Sequence, residues 1–182
     1  MKRSLILAAA IATLAGTTQV GAVQHSVSLS ALVAASCSVT GTPTISGSGF
    51  TNPTLASSNF AATVVNGIAQ STIGTITFPS VVCTGGNIKA TLDPLGTAIV
   101  NSIAMPSGNN INRIDYTAEV KTSANQQIVA VNTANNTASS SANSGIASDA
   151  ITLKITIAAT PSGKTLLPGS YLGTLKLDID PI

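Results

Sequence analysis

The chain has 182 residues, of which 44% are hydrophobic, 8% charged and 3% aromatic, with no tryptophan. Eight basic and six acidic side chains give a formal net charge of +2, which excludes the strongly basic face that nucleic-acid binding needs. High apolar content with little charge also argues against intrinsic disorder, which combines low hydrophobicity with high charge.

The first residues, Met1-Lys2-Arg3, are basic, Ser4 to Ala15 carries no charge, and small residues lead to Val20-Gly21-Ala22. That order predicts a secretory signal peptide over residues 1–22, cleaved after Ala22. The apolar run is shorter than the roughly 20 helical residues a bilayer requires. No cysteine stands at the cleavage point, so lipid anchoring there is not expected. Removal of Lys2 and Arg3 leaves six basic and six acidic side chains in residues 23–182. A formal charge of zero removes long-range repulsion between copies and favours association.

Residues 23–33 come next, Val23 to Val33. Serines alternate with Val27, Leu29 and Ala31, the period of a strand with one buried face. Val23, His25 and Val33 share that parity. Ser36 to Thr40 continues as a strand, and the Gly-, Ser- and Pro-rich stretch Thr42 to Asn59 reads mainly as loop. Asn66-Gly67 suits the type I′ turn of a hairpin within Ala61 to Ile68. Ser71 to Cys83 reads as a strand with Pro79 at a bend or edge. Asn87 to Leu92 alternates and stops at Asp93-Pro94. Ile99 to Met105, Arg113 to Val120 and Gln126 to Val131 follow as strands, the second with Ile114, Tyr116, Ala118 and Val120 on one face. Asn132 to Asp149, rich in Asn, Ser, Ala and Thr, reads as a long exposed loop, and the glycosylation-like Asn135-Asn136-Thr137 inside it is a weak pattern. The clearest alternation comes last. Ile151, Leu153, Ile155 and Ile157 share one face, and after Pro168-Gly169 so do Leu175, Leu177 and Ile179. The expected fold class is therefore all-β, an immunoglobulin-like β-sandwich in the loose sense.

Two cysteines in an exported chain, Cys37 and Cys83, point to one disulfide, with two free buried thiols as the alternative. A 46-residue separation predicts roughly 4 kcal/mol of stabilisation in the chain-entropy model.

Catalytic chemistry has little to stand on. His25 is the only histidine, so a Ser-His-Asp arrangement would have to use it, and a strand residue is the simpler reading. Asp178 and Asp180 sit at i, i+2 and could form half of a weak calcium site; a solvated strand end explains them more simply. Ser162-Gly163-Lys164-Thr165 imitates the end of a phosphate-binding loop, yet position 158 is alanine where that pattern needs glycine. It reads as a turn. No catalytic, cofactor-binding or metal-binding residue is expected.

Signal peptide, alternating segment, Ser36-Cys37, Val82-Cys83 and the closing Pro168-Gly169-Ser170-Tyr171-Leu172-Gly173-Thr174-Leu175-Lys176-Leu177 occur in an order that resembles bacterial chaperone–usher fimbrial pilins. The likeness is to the spore coat protein U-like, or archaic, branch, with some likeness in the closing strand to alpha-type pilins. The resemblance implies an incomplete immunoglobulin-like β-sandwich over residues 34–182 that lacks one strand. It also implies a role as structural subunit of a surface fimbria, supporting adhesion or biofilm formation. Residues 23–33 are then a donor strand, with Val23, His25, Val27, Leu29, Ala31 and Val33 inward. The implied partners are neighbouring pilin subunits, a periplasmic chaperone and an outer-membrane usher, with no nucleic acid and no cofactor. The implied location is the cell surface, reached through the periplasm. A secreted or tip-located carbohydrate- or surface-binding β-sandwich is the alternative.

Overall fold

The structure is a computed structural model, which describes residues 35–51, 59–95, 98–102, 105–135 and 138–182. The predicted signal peptide and the proposed donor residues Val23, His25, Val27, Leu29, Ala31 and Val33 lie outside the described residues. So do Asn136 and Thr137 of the glycosylation-like pattern.

Among the described residues the fold is all-β and contains no helix. In chain order the strands are β1 (Ser36–Thr40), β2 (Thr44–Gly47), β3 (Phe50–Thr51), β4 (Asn59–Phe60), β5 (Val64–Val65), β6 (Ile68–Ala69), β7 (Thr72–Thr84) and β8 (Ile88–Asp93). There follow β9 (Ile99–Val100), β10 (Asn110–Ile111), β11 (Arg113–Ile114), β12 (Tyr116–Thr122), β13 (Gln127–Asn132), β14 (Ser140–Asn143), β15 (Ser148–Ile157), β16 (Thr165–Leu166) and β17 (Lys176–Pro181). A six-stranded sheet has the order β1-β7-β15-β12-β13, with β2 also on β7, and a three-stranded sheet has the order β14-β8-β17. Several two-stranded ladders complete the set, an arrangement consistent with a β-sandwich.

One hydrophobic core draws on both larger sheets. Period-2 alternation builds it. Tyr116, Ala118 and Val120 of β12 and Ile151, Leu153, Ile155 and Ile157 of β15 are buried, whereas Glu119, Lys121, Thr152 and Lys154 face the other way and are only partly covered. From the smaller sheet Ile88, Ala90 and Leu92 are each 0% exposed. Antiparallel pairing sets Cys37 opposite Cys83, and the two are joined by a disulfide.

Four local readings change. Pro79 is not at an edge, and the bend expected there is a bulge within the long strand β7, where pairing breaks on both sides. On one side Thr40 pairs with Ser80 and Thr44 with Thr77. On the other, Asp149 pairs with Val81 and Ile151 with Phe78. One extra residue on β7 makes a bulge there, which accommodates the missing proline N–H. The bulge reverses the strand's parity, so Ile76 points inward before it and Val81 and Cys83 after it. Residues 132–149 are not one exposed loop, because β14 pairs with β8 from Ser140↔Leu92 to Asn143↔Lys89. Likewise Thr42 to Asn59 holds β2, β3 and the start of β4, while among the described residues Ile99 to Met105 keeps only a two-residue strand. The hairpin β5–β6 matches its expectation: Asn66 and Gly67 take φ of 51° and 74°, the left-handed pair a type I′ turn demands.

Candidate strand-accepting groove

In the smaller sheet β17 pairs with β8 and with no other strand of the described residues. Its apolar side chains Leu177 and Ile179 are only partly buried, whereas those of the central strand β8 are completely covered. Just before β17 the chain is less engaged still. Gly173 and Thr174 belong to no strand and make no backbone hydrogen bond among the described residues. Leu172 pairs with Val100 in an isolated bridge, yet its side chain is 76% exposed.

Behind this segment a groove of about 410 Å³ opens onto the core. Tyr116, Leu153, Ile155 and Ile157 of the large sheet line it, and Leu172 to Leu175 form one wall. Phe50 and Phe60 also line it, their rings 4.6 Å apart and edge-on. They stand where they do because β7 carries glycine at position 74. A Cβ there would come within 2.6 Å of both rings and of the Ser48 carbonyl. Glycine thus lets the Phe50–Thr51/Asn59–Phe60 ladder lie directly on the sheet.

The groove's walls are fixed from outside. The turn before Tyr171 uses Gly169 at φ 136°, and the buried Asn101 donates from its Nδ2 to the Pro168 carbonyl at 3.1 Å. The Tyr171 hydroxyl lies 2.9 Å from the Leu167 carbonyl and 3.1 Å from that of Ile111, donating a shared bond. On the floor, the Tyr116 amide donates to the Thr133 Oγ1 at 2.9 Å, and the Thr133 amide donates back to the Tyr116 carbonyl at 3.0 Å. Arg113 supports this corner by pairing with Asp115 at 2.6 Å and donating to the Thr133 carbonyl. Tyr116 is 4% exposed, and its hydroxyl has no hydrogen-bond partner among the described residues. Burial foremost, and the negative charge of Asp93 second, push its pKa up to about 12, so it stays a neutral donor.

The other residues singled out from sequence are accounted for structurally. Cys37 and Cys83 are brought together, and the Cys83 Sγ lies 3.9 Å from the Asp180 carbonyl, where β17 approaches the β1–β7 edge. Asp178 takes an ion pair from Lys176 at 2.9 Å, and Asp180 lies opposite Lys89 in the β17–β8 register. Among the described residues no group of three or more His, Cys, Asp or Glu side chains could hold a metal ion. Ser162 to Thr165 is a turn entering β16, with Gly163 at φ 76° and the Lys164 ammonium on the Gly108 carbonyl at 3.3 Å. Phe50, Phe60 and the hydroxyl of Tyr116 carried no functional signal in the sequence. Their shared surroundings arise only when three distant segments meet.

Family models, curated proteins and solved structures give no match to this chain.

Proposed function

We propose that this chain is a structural subunit of a bacterial surface fimbria, assembled by donation of a strand from one copy into the groove of the next. The observation that carries the reading is a groove open to the hydrophobic core beside a strand with one unpaired edge. Such an edge is a template for another strand, and natural proteins seldom leave one uncovered without a use for it. The fold is then an immunoglobulin-like sandwich short of one strand, and residues 23–33 of a neighbour are that strand.

Dimensions and chemistry agree with this. Residues 173–181, the segment with the unpaired edge, span roughly 30 Å when extended, and eleven donor residues reach roughly 36 Å. Backbone bonds would supply adhesion, while Val27 and Leu29 fill the groove at alternate positions. Each fully buried aliphatic side chain contributes about 1.5–3 kcal/mol. Head-to-tail insertion is a heterologous contact, and it propagates into filaments instead of closing into a ring. In transit a periplasmic chaperone would cover the groove, and an outer-membrane usher would exchange it for the next subunit.

The test is the double substitution Val27→Glu/Leu29→Glu. Export continues and filaments disappear from cells viewed by electron microscopy. Filaments that persist in the double variant refute strand donation by this segment.

A further inference from the structure

The tip of the β5–β6 hairpin, Asn66-Gly67, is the one Asn-Gly pair in the chain; every other asparagine is followed by a residue that carries a side chain. Asn66 is exposed. The Gly67 amide donates no backbone hydrogen bond among the described residues, whereas the Gly67 carbonyl accepts from the Leu166 amide at 2.7 Å. Only two residue pairs close the ladder, Val64↔Ala69 and Val65↔Ile68. Val64, Val65 and Ile68 are exposed as well. A two-stranded ladder this short, with little burial to hold it, opens locally far more often than the core strands do.

We propose that Asn66 is a site of spontaneous deamidation, and that the isoaspartate it forms keeps the hairpin open. When the ladder opens, hydroxide takes the proton of the Gly67 nitrogen, which attacks the Asn66 side-chain carbonyl carbon. The N–Cγ bond forms and the Cγ–Nδ2 bond breaks. The side-chain nitrogen leaves as ammonia, taking a proton from water and restoring the hydroxide. Glycine at the second position matters because a Cβ would crowd the attacking nitrogen. The five-membered imide then takes up one water. Opening at Cγ yields aspartate; opening at the backbone carbonyl yields isoaspartate, whose main chain runs through Cβ and Cγ. Either product adds one negative charge to a sparsely charged chain. The two differ in what they do to the turn. Aspartate tolerates the left-handed conformation that Asn66 adopts at φ 51°. Isoaspartate inserts an extra backbone atom, so the pair no longer supplies the type I′ geometry that sets Val65 opposite Ile68. The Gly67 carbonyl is then drawn away from the Leu166 amide.

The test holds the purified full chain at mildly alkaline pH beside a synthetic peptide of residues 62–70 and follows amide-to-acid conversion by peptide mapping with mass spectrometry. Asn66 converts ahead of every other asparagine. It does so about tenfold more slowly than in the free peptide, because the ladder must open first. The isoaspartate fraction, marked by an isoaspartate-specific methyltransferase, shows exchange at the Leu166 amide faster by about tenfold or more. Asn66→Asp protein, which adds the charge without the extra backbone atom, exchanges there as the unaltered protein does. The proposal is overturned if Asn66 keeps its amide for about a hundred half-lives of the peptide, or if another asparagine converts first. It is also overturned if the Leu166 amide exchanges alike in the isoaspartate fraction and the unaltered protein. None of these measurements depends on strand donation.

Discussion

The two sides of this molecule make opposite use of the same kind of sequence. On one side the core is closed: β13 ends the large sheet, β14 covers the flank of β8, and Val129 and Val131 are buried. On the other side β17 has a single partner, and Leu172 to Leu175 stand beside an open groove. Both sides are built from alternating aliphatic and Thr-, Ser- or Lys-bearing positions. Among the described residues both β14 and β17 pair only with β8, so the difference lies in what covers the core beside each of them: β14 packs beside β13, whereas the groove lies beside the segment that leads into β17.

The comparison can be broken most severely at the β1–β7 edge, which β17 of the open side approaches. Replacing both Cys37 and Cys83 by alanine removes the tie between β1 and β7 and is expected to cost about 4 kcal/mol by denaturant titration. A loss below about 1 kcal/mol would show that strand pairing alone holds this edge. Next come paired apolar truncations. Ile151→Ala, at a fully buried position, costs about 2–5 kcal/mol. Leu172→Ala, at a 76% exposed groove wall, costs less than about 0.5 kcal/mol in the isolated subunit. Equal losses at the two sites would mean that the groove is closed in solution.

The smallest expected effect is electrostatic and lies on the outer face of the large sheet, away from both edges. There Glu119 holds Lys121 at 3.1 Å and Lys154 at 3.2 Å. Burial raises the Glu119 pKa, but hydrogen bonds and charge from the two lysines outweigh it and leave the carboxyl below its ordinary value. A depressed folded-state pKa contributes stability above the unfolded value of about 4.3, and that contribution is lost as pH falls through the folded value. For a partly exposed network it is under about 1 kcal/mol. Denaturant titrations from pH 7 down to pH 3 should lose this increment in the natural chain but not in Glu119→Gln.

The fold was legible wherever side-chain alternation matched burial. Ile151 to Ile157 and Asn87 to Leu92 announced their strands because every second residue is apolar. Asn66-Gly67 announced its turn because the turn needs two left-handed residues. Ser140 to Asn143 was illegible because its order comes from the β8 ladder, with only Ala142 touching the core. Thr44 to Gly47 was hidden for the same reason, with Ile45 as its one inward aliphatic. The bulge at Pro79 was half legible: proline signalled an irregularity, but the parity reversal depends on what pairs on either side. Of the groove, only the closing segment around Tyr171 to Leu175 stood out. Phe50, Phe60 and Tyr116 converge from remote segments, and no spacing in the sequence foretells that.

The central claim is that the groove beside β17 accepts a strand from another copy. Hydrogen exchange at the Gly173 and Thr174 amides tests it most directly, since neither makes a backbone hydrogen bond among the described residues. Both should exchange rapidly in the isolated subunit, and the Gly173 amide, which in an extended strand points away from the edge where Leu172 donates to Val100, should become protected when the peptide of residues 23–33 is added, together with a rise in melting temperature. Unchanged exchange at the Gly173 amide with peptide in excess would contradict the account.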